Sequence, residues 1–490
     1  MLNRRSDCRS RPSTLVGCLV LFSVLAPAGC KSKQSDSPTP AASPAELPLS
    51  VLVIDDEPLA EAVTLAWDSR VGGSTKIITM TVEEILAADR KRLNADVILY
   101  PSFLLGSLAE RDLIEPLDSE DVADPVFDRR GLFELIRLRE IVWGSKVFAV
   151  PLGSPQFTLL YRQDIFSELQ LEPPVTWSEY QSLAKQLSDR TAVAKFAPPT
   201  EEVWLGAVEP LGPGWAGPML LARAAAYARH RNQYSTLFDF NSMQPLIASR
   251  PFERALEELA AIAADNRKTS QNPAEARSMF LAGNCAMAIT WPSRADDASP
   301  ESAINRDDWI GVAELPGSPE VYNHRTKSWE PRTADESPHV SLIAVSGRLG
   351  SVTKDSRRKK QALGMLFMIS GDELGTTIGS ASSHTTLFRE SQLGQEDAWV
   401  DRALEGAPAR RYGEVVQAAQ NRAAWLDAIR IPGRAEYVAA LDRAVSSILS
   451  GEASASDALQ VAAAEWNRIT DSIGRESQQR AYMRSLGLEP

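Results

Sequence analysis

Residues 146–187 decide the fold of this chain: KVFAVPLGSPQFTLLYRQDIFSELQLEPPVTWSEYQSLAKQL. Two short apolar runs, at residues 147–151 and 157–161, predict two strands, and the Gly-Ser-Pro sequence between them separates the first strand from the second. Thr176 and Glu179 then form a capping box, in which each side chain accepts a backbone N–H at the start of a helix. The predicted order is therefore strand, break, strand, helix, loop, helix.

Three motifs follow one another in this stretch: Phe-Ala-Val-Pro at 148–151, Leu-Tyr-Arg-Gln-Asp-Ile-Phe at 160–166 and Pro-Pro-Val-Thr-Trp-Ser-Glu at 173–179. In this order they resemble the hinge-crossing region of the extracellular solute-binding proteins of ABC transporters, family 1, the carbohydrate-binding, maltose-binding-protein-like group. The resemblance implies a two-lobed α/β fold of the periplasmic-binding-protein type II, with three hinge crossings. It extends over about residues 50–470.

An alternation of three apolar strands with two helices precedes this stretch, which predicts a parallel sheet in the first lobe. Thr81 and Glu84 form a second capping box, which starts a helix predicted to end near Leu93. The three strands are predicted at residues 50–55, 76–80 and 95–100, and the earlier helix at residues 57–67.

The middle of the chain is predicted to be mostly helical, over residues 188–275, and then to return to strands. Strands at residues 286–290 and 310–316 resemble those of the second lobe in the family. Residues 340–346 resemble the strand that returns to the first lobe. The polar residues 317–338, rich in turn formers, predict a long loop or hairpin.

The last third of the chain is predicted to be helical apart from a serine-rich loop. A helix is predicted over residues 359–369, residues 379–386 are predicted to be the third hinge crossing, and Ser456 is predicted to cap the last helix. The resemblance then implies two lobes: residues 48–150 with about 343–383 for lobe 1, and residues 151–342 with about 384–475 for lobe 2.

The first 47 residues resemble a leader and a tether. Four arginines, a short apolar segment and Ala28-Gly29 before Cys30 resemble a bacterial lipoprotein signal, which predicts residues 1–29 as the signal peptide and Cys30 as the lipidated residue. Ordinary secretion without lipidation of Cys30 is the alternative. Residues 30–47, rich in serine, proline, lysine and alanine, predict a flexible tether. We therefore expect an extracytoplasmic protein, in the periplasm or at the cell surface, anchored to a membrane by lipid.

The composition excludes several classes of function. A net charge of −12 argues against a nucleic-acid partner, which needs a basic footprint. Cys8 and Cys18 leave with the leader and Cys30 carries the lipid, so Cys285 has no disulfide partner and is predicted to be a core thiol. The four histidines show no metal-ligand spacing. Neither a metal nor a cofactor is predicted.

Residues 212–217, Gly-Pro-Gly-Trp-Ala-Gly, match the dinucleotide-binding pattern G-x-G-x-x-G. A true site needs free backbone amides at the start of a helix, and Pro213 removes one of them. We expect instead a loop at the mouth of the cleft, with a plain surface turn as the alternative.

Candidate ligand-binding residues follow from strand ends and aromatic side chains. Sugars present C–H faces to aromatic rings and hydroxyl groups to polar side chains. Asp55 and Asp56 follow the first strand, where ligands bind in α/β folds, with acids that favour a helix start as the alternative. By position in the family, Trp215 and Trp291 are the strongest aromatic candidates, with core packing as the alternative. The predicted ligand-binding residues are Asp55, Asp56, Tyr100, Ser102, Ser154, Gln156, Trp215, Trp291, Arg294 and His384.

The resemblance, the leader and the failure of any residue set to complete a catalytic mechanism predict a binding protein rather than an enzyme. We expect the substrate-binding lipoprotein of an ABC importer for a sugar or oligosaccharide, monomeric, whose closed form docks on permease subunits. A ligand-binding sensory or adhesive lipoprotein that works with a receptor is the first alternative, and a secreted hydrolase is the second.

Overall fold

The computed structural model describes residues 48–71, 75–87, 90–198, 203–265, 271–295 and 309–489. The predicted signal peptide, the tether up to residue 47 and Cys30 lie outside the described residues. None of the helices within these ranges combines the length and the apolar character needed to span a bilayer.

Within the described residues, strands and α-helices alternate along most of the chain. The strands are β1 (Leu49–Ile54), β2 (Thr75–Met80), β3 (Val97–Pro101), β4 (Val142–Trp143), β5 (Lys146–Val147), β6 (Val150–Gly153), β7 (Thr158–Arg162), β8 (Met287–Thr290), β9 (Ile310–Glu314), β10 (Glu320–Asn323), β11 (Ser328–Pro331), β12 (Ser341–Ile343), β13 (Arg348–Val352) and β14 (Trp425–Asp427). The helices are α1 (Glu57–Val71), α2 (Val82–Leu86), α3 (Leu105–Glu110), α4 (Ser119–Val122), α5 (Gln163–Glu168), α6 (Trp177–Ser188), α7 (Ala216–Ala228), α8 (Arg250–Asp265), α9 (Pro273–Leu281), α10 (Lys359–Ser370), α11 (Gly375–Gly379), α12 (Ala407–Gln420), α13 (Arg434–Leu449), α14 (Ala455–Ile473) and α15 (Arg475–Ser485).

Five strands form the sheet of the first lobe, in the order β2-β1-β3-β13-β6. β1 pairs in parallel with both β2 and β3, which confirms the parallel arrangement predicted from the alternation of strands and helices. β13 joins the sheet antiparallel to β3 and to β6. Every residue of β3 is buried, as expected for a central strand whose two faces are covered.

A separate sheet of three strands, in the order β8-β7-β9, belongs to the second lobe. β7 pairs antiparallel with both neighbours. The two strands predicted on either side of the Gly-Ser-Pro break therefore lie in different sheets, β6 in the first and β7 in the second. Gly153 ends β6 with a φ of +133°, and a Cβ there would lie 2.7 Å from Thr385 Cβ. Only glycine fits this bend, because a side chain would be both strained and blocked.

Both predicted capping boxes are present. Thr176 Oγ1 accepts the N–H of Glu179 at 3.3 Å, and Thr81 Oγ1 accepts the N–H of Glu84 at 3.2 Å. Each glutamate carboxylate accepts the N–H of its threonine in return. The starts of α2 and α6 are thus set by bonds between residues three apart, which a sequence displays directly.

Helix α2 is shorter than predicted and ends at Leu86 rather than near Leu93. The guanidinium of Arg111 donates to the carbonyl oxygens of Ile85 and Ala87 at 3.1 and 2.9 Å. A side chain from another part of the chain therefore satisfies acceptors at the end of the helix.

The strand that returns to the first lobe lies later than predicted. Residues 340–346 contain β12, which pairs in parallel with β14 and not with the five-stranded sheet. The return strand is β13. Ala344, immediately after β12, has a φ of +60°, and this left-handed residue ends β12 before the chain reaches β13.

The prediction of a mostly helical stretch over residues 188–275 is correct only for α7, α8 and the start of α9. Leu205 and Val208 instead form β-bridges with Cys285 and Ala288, beside the strand β8. Cys285 is a buried free thiol, as predicted, and burial raises its pKa. The residues between Gly317 and Pro338 include the antiparallel hairpin of β10 and β11, one of the two predicted forms.

The predicted cap of the last helix is wrong by two residues. Ser454 caps α14 by accepting the N–H of Asp457 at 3.1 Å, whereas Ser456 donates to Glu253 at 3.1 Å. A further helix, α15, follows α14 and was not among the predicted elements.

Candidate functional site

A cavity of about 490 Å³ brings together three of the predicted ligand-binding residues: Asp55, Asp56 and His384. Its polar wall comes from the ends of β1 and β2 and the starts of α1 and α2. Ser383 and His384, from the segment after α11, and Ala295, after β8, complete the lining. The carboxyl ends of parallel strands meet at one edge of a sheet, which explains why these side chains gather there.

Asp56 holds three parts of the chain together at this cavity. Its carboxylate accepts from Nε of Arg348 at 2.7 Å, from Oγ of Ser382 at 2.5 Å and from the N–H of Leu59 at 3.1 Å. The side chains of Asp56 and Arg348 are each only 3% exposed. The bond to Leu59 lies in the first turn of α1, so the alternative of a helix-start acid describes this residue well.

Asp55 is the exposed neighbour of this buried pair. Its backbone is left-handed, with a φ of +47°. Its Oδ2 accepts the N–H of Val82 at 2.9 Å, the first residue of α2. Asp55 therefore links β1 to α2 while its side chain stays at the surface of the cavity.

His384 carries a neutral imidazole into the cavity wall. Its Nδ1 lies 2.8 Å from Oγ of Ser346. Burial, together with the positive charge of Arg348, lowers the pKa of His384 to about 3, although Asp56 acts in the opposite direction. Because Nδ1 is bonded to Ser346, Nε2 is the ring nitrogen left for a ligand hydroxyl, as a donor or an acceptor according to the tautomer.

Three aromatic rings form a cluster beside this cavity: Phe157, Trp215 and Trp291. The ring centroids of Trp291 lie 5.7 Å from those of both Phe157 and Trp215, and the remaining pair is 6.3 Å apart. Phe157 and Trp291 are almost fully buried, whereas Trp215 keeps part of its surface exposed. Core packing therefore describes the first two rings, and Trp215 is the ring of this cluster with surface left for a ligand.

Trp291 connects the aromatic cluster to the cavity. Its Nε1 donates to the carbonyl oxygen of Ser383 at 2.9 Å, and Ser383 lines the cavity. The backbone carbonyl of Trp291 accepts from Nη1 of Arg277 at 2.8 Å. The polar wall and the aromatic cluster are thus neighbours through one backbone group.

The predicted site residues at the bend after β6 lie away from this cavity. Ser154 is buried, and its Oγ donates to Oε1 of Glu140 at 2.6 Å. Burial raises the pKa of the Glu140 carboxyl, against the effect of the hydroxyl groups of Ser154 and of buried Ser102. Gln156 lines a separate cavity of about 20 Å³, and its Nε2 has no hydrogen-bond partner among the described residues.

Tyr100 and Arg294 also have partners within the protein. Tyr100 is fully buried in β3, and its hydroxyl lies 2.7 Å from Oγ of Ser351, which matches the core-packing alternative. Arg294 Nη1 donates to Oε1 of Glu405 at 2.6 Å. It stands one residue before Ala295 and so lies next to the cavity wall without lining it.

Sequence reasoning missed Glu57, Thr79, Thr81 and Glu84 as residues of the cavity wall. Their position is a usable signal, because β1 and β2 are adjacent parallel strands and the residues after both strands share one edge. The ion pair of Asp56 with Arg348 joins residues 292 positions apart, and no local pattern indicates it.

The Gly-Pro-Gly-Trp-Ala-Gly loop binds a carboxylate of the protein itself. The N–H groups of Gly214 and Gly217 donate to the two carboxylate oxygens of Asp442 at 2.6 and 2.7 Å. A side chain of α13 thus occupies the start of α7, where the helix dipole favours negative charge. These amides are not free for a phosphate, which supports the interpretation that excluded a nucleotide.

Solved structures with the same two-lobed fold include several that are remote in sequence. An ABC transporter solute-binding protein from Agrobacterium radiobacter K84, in complex with ribitol, has a TM-score of 0.62 and 17% identity, over 87% of this chain and 100% of its own. The GacH receptor of Streptomyces glaucescens GLA.O, solved unliganded and with acarbose, has a TM-score of 0.60 and 14% identity, over 87% and 99%. A cyclo/maltodextrin-binding protein complexed with maltotetraose has a TM-score of 0.58 and 15% identity, over 87% and 98%. No curated protein has a significant match to the sequence.

A family model described as bacterial extracellular solute-binding protein matches residues 81–364, which is more than half of the chain. The match spans β3, the bend at Gly153, the aromatic cluster and β13. Members of this family bind solutes for ABC transporters outside the cytoplasm and are not enzymes, so the predictions of a binding protein and of an extracytoplasmic location are confirmed. The chain belongs to the bacterial extracellular solute-binding protein family.

Proposed function

We propose that the protein binds a sugar or a polyol at the 490 Å³ cavity and delivers it, as a monomer, to the permease subunits of an ABC importer. The observation that carries the proposal is the contact between a polar wall and an aromatic cluster, through the Trp291–Ser383 hydrogen bond. A carbohydrate needs both surfaces, because its hydroxyl groups seek hydrogen bonds while its C–H faces stack on rings.

The chemistry of the polar wall suits uncharged hydroxyl groups. Asp55 and Glu57 supply acceptors and Thr79 supplies a hydroxyl. The neutral His384 supplies its Nε2, because its Nδ1 is bonded to Ser346. The ligands of the structural neighbours support this class, since they include ribitol, D-mannitol and maltotetraose.

The bend at Gly153 and the segments that contact it are the proposed hinges. A Cβ on Gly153 would meet Thr385 and Thr386, and a Cβ on Gly347 would meet the carbonyl oxygen of Gly153. Three chain segments between the two sheets thus touch at one place. Since β6 belongs to the first sheet, we place the first boundary between the lobes at Gly153 rather than at residue 150. Closure on binding would appear in small-angle X-ray scattering as a smaller radius of gyration with ligand than without.

We also propose that Cys30 carries a lipid after removal of residues 1–29, and that residues 30–47 tether the lobes to the membrane. The residues before Cys30 support this, as described above. Labelling of cells with radioactive palmitate should mark the wild-type protein but not Cys30→Ser. Equal label in both, or wild-type protein only in the soluble fraction, would contradict the anchor.

Isothermal titration calorimetry tests the ligand class. The panel contains ribitol, mannitol, maltose and maltotetraose, with a neutral amino acid as the control solute. We expect saturable binding of at least one carbohydrate, with one site per chain, and no heat from the control. A folded protein that binds none of the four would contradict the carbohydrate proposal.

A further inference from the structure

A second cavity, of about 730 Å³, lies on the second lobe and has a different chemistry from the proposed sugar site. It opens between the residues after α7, the turn after β11 and the residues before β14. Among the described residues, its lining contains four arginines, Arg229, Arg231, Arg332 and Arg422, but only two acids, Asp335 and Glu336. The lining is thus locally basic, although the net charge of the chain is −12.

Two of these arginines are held in place by backbone carbonyl groups rather than by acids. Arg229 Nε donates to the carbonyl oxygen of Trp425 at 3.0 Å. Arg332 donates through Nε to the carbonyl oxygen of Ser318 at 3.0 Å and through Nη2 to that of Ala226 at 2.7 Å. Among the described residues, neither guanidinium has a carboxylate within 4 Å that forms an ion pair. Burial lowers the pKa of both groups, against the opposing charge of Asp427 on Arg229 and of Glu336 on Arg332.

The two acids of this cavity are already engaged. The Glu336 carboxylate accepts from the N–H and the hydroxyl of Thr333 at 2.8 and 3.0 Å, and from Nη1 of Arg231 at 2.9 Å. A bond from the Thr333 hydroxyl lowers the pKa of Asp335. Glu336 therefore caps its own turn and forms its direct ion pair with Arg231, while its charge also acts on Arg332 from a greater distance.

Donor capacity remains on the arginines. The hydrogen bonds of Arg229 and Arg332 leave one terminal nitrogen of each, Nη2 and Nη1 respectively, without an acceptor among the described residues. Arg422 is bonded to Glu314 and Ser337, but its buried Nε has no partner among the described residues. Guanidinium groups match the planar, paired oxygens of phosphate and carboxylate.

We propose that this cavity binds a small oxyanion, with a phosphate or carboxylate group held by Arg229, Arg231 and Arg332. The site is independent of the proposed sugar site. A ligand of this kind would give the two carbonyl-bonded guanidinium groups a directly bonded anion, in addition to the more distant charges of Asp427 and Glu336.

Calorimetric titration at low ionic strength tests the proposal, with sodium phosphate, sodium sulfate and sodium citrate as separate probes and sodium chloride as the reference salt. We expect saturable binding of at least one probe, with one site per chain. Arg231→Gln should weaken it about tenfold, and Arg231→Gln with Arg332→Gln about a hundredfold. Arg443→Gln is the matched control, because Arg443 is also an exposed arginine paired with a glutamate, and it should change nothing.

Two results would overturn the proposal: no saturable binding of any probe to the wild-type protein, or wild-type affinity in the double variant. If circular dichroism shows that the double variant is unfolded, Arg231→Glu decides, since Arg231 is 46% exposed and its replacement leaves the buried arginines in place. Charge reversal should abolish binding, and unchanged binding would refute the site. Trp215→Ala should leave anion affinity unchanged, which separates this proposal from the sugar proposal.

Discussion

The polar wall of the 490 Å³ cavity and the aromatic cluster beside it are built in opposite ways. The polar wall gathers side chains from distant parts of the chain, and its most buried acid, Asp56, is bonded to Arg348 and Ser382. The aromatic cluster consists of rings in mutual contact, of which Trp215 keeps exposed surface. The difference teaches that one wall joins parts of the first lobe, while the other leaves the ring of Trp215 partly exposed.

Asp56→Ala should give the largest effect and break the polar wall. It leaves Arg348 buried without its carboxylate, which typically costs about 3–5 kcal/mol of unfolding free energy. Urea denaturation followed by circular dichroism measures it. Asp55→Ala is the matched control, because Asp55 is exposed and accepts one backbone N–H, and it should cost about 1 kcal/mol or less. Equal losses in the two variants would contradict the structural role of Asp56.

The buried His384 of the same wall should make the free energy of unfolding depend on pH. The pKa of folded His384 is about 3, below the ordinary value of 6.5. As pH falls below about 6.5, the unfolded chain binds a proton that the folded protein does not, so stability is present above this value and is lost below it. Between pH 7 and pH 5 the loss from His384 should be about 2 kcal/mol.

Unfolding free energies at pH 7 and pH 5, for the wild type and His384→Gln, test this prediction. The variant should lack that part of the loss, while the carboxylates and other histidines contribute equally to both proteins. If the two proteins lose the same free energy, His384 is not held neutral by its surroundings.

Trp215→Ala tests the aromatic cluster and should affect carbohydrate affinity more than stability. We expect about a tenfold loss of carbohydrate affinity, since a stacking ring contributes about 1 kcal/mol or somewhat more. Stability should change little, because Trp215 is only partly buried. Trp67→Ala is the matched control, a partly exposed tryptophan on α1, and should keep full affinity. Calorimetry with the best carbohydrate of the panel decides, and unchanged affinity in Trp215→Ala would remove this ring from the site.

Thr81 lies at the edge of the polar wall, and Thr81→Ala should cause a smaller loss of unfolding free energy than Asp56→Ala. The substitution removes the side-chain half of the capping box of α2, which is worth about 1 kcal/mol. Thr81→Ser keeps the hydroxyl and should retain most of the stability. Denaturation curves of the two variants that coincide would show that the cap contributes nothing.

Sequence reasoning succeeded where a bond or a pattern is local. The capping boxes at Thr81 and Thr176 join residues three apart, and the strands β1, β2 and β3 follow from short apolar runs. Each of these features depends on a few consecutive residues or on a family motif.

Prediction failed where the deciding partner is remote. Arg111 takes the carbonyl groups at the end of α2, and β12 pairs with β14 instead of joining the first sheet. Tyr100 lies at the end of an apolar run, where a cleft residue is expected. Its hydroxyl is instead bonded to Ser351 in the core. Nothing within ten residues of these positions distinguishes the observed partner from the expected one.

The sequence by itself determined the alternation of β1, β2 and β3 with their helices and the break at Gly153, because periodicity, turn chemistry and capping act over short stretches of chain, and its motifs determined the family. Only the tertiary structure decided which acid is buried, which tryptophan stays partly exposed and which arginines are bonded to backbone carbonyl groups. Burial and ion pairing are properties of neighbours in space, and Asp56 meets Arg348 across 292 positions of chain. That contact turns a candidate ligand acid into the residue that holds the cavity wall together.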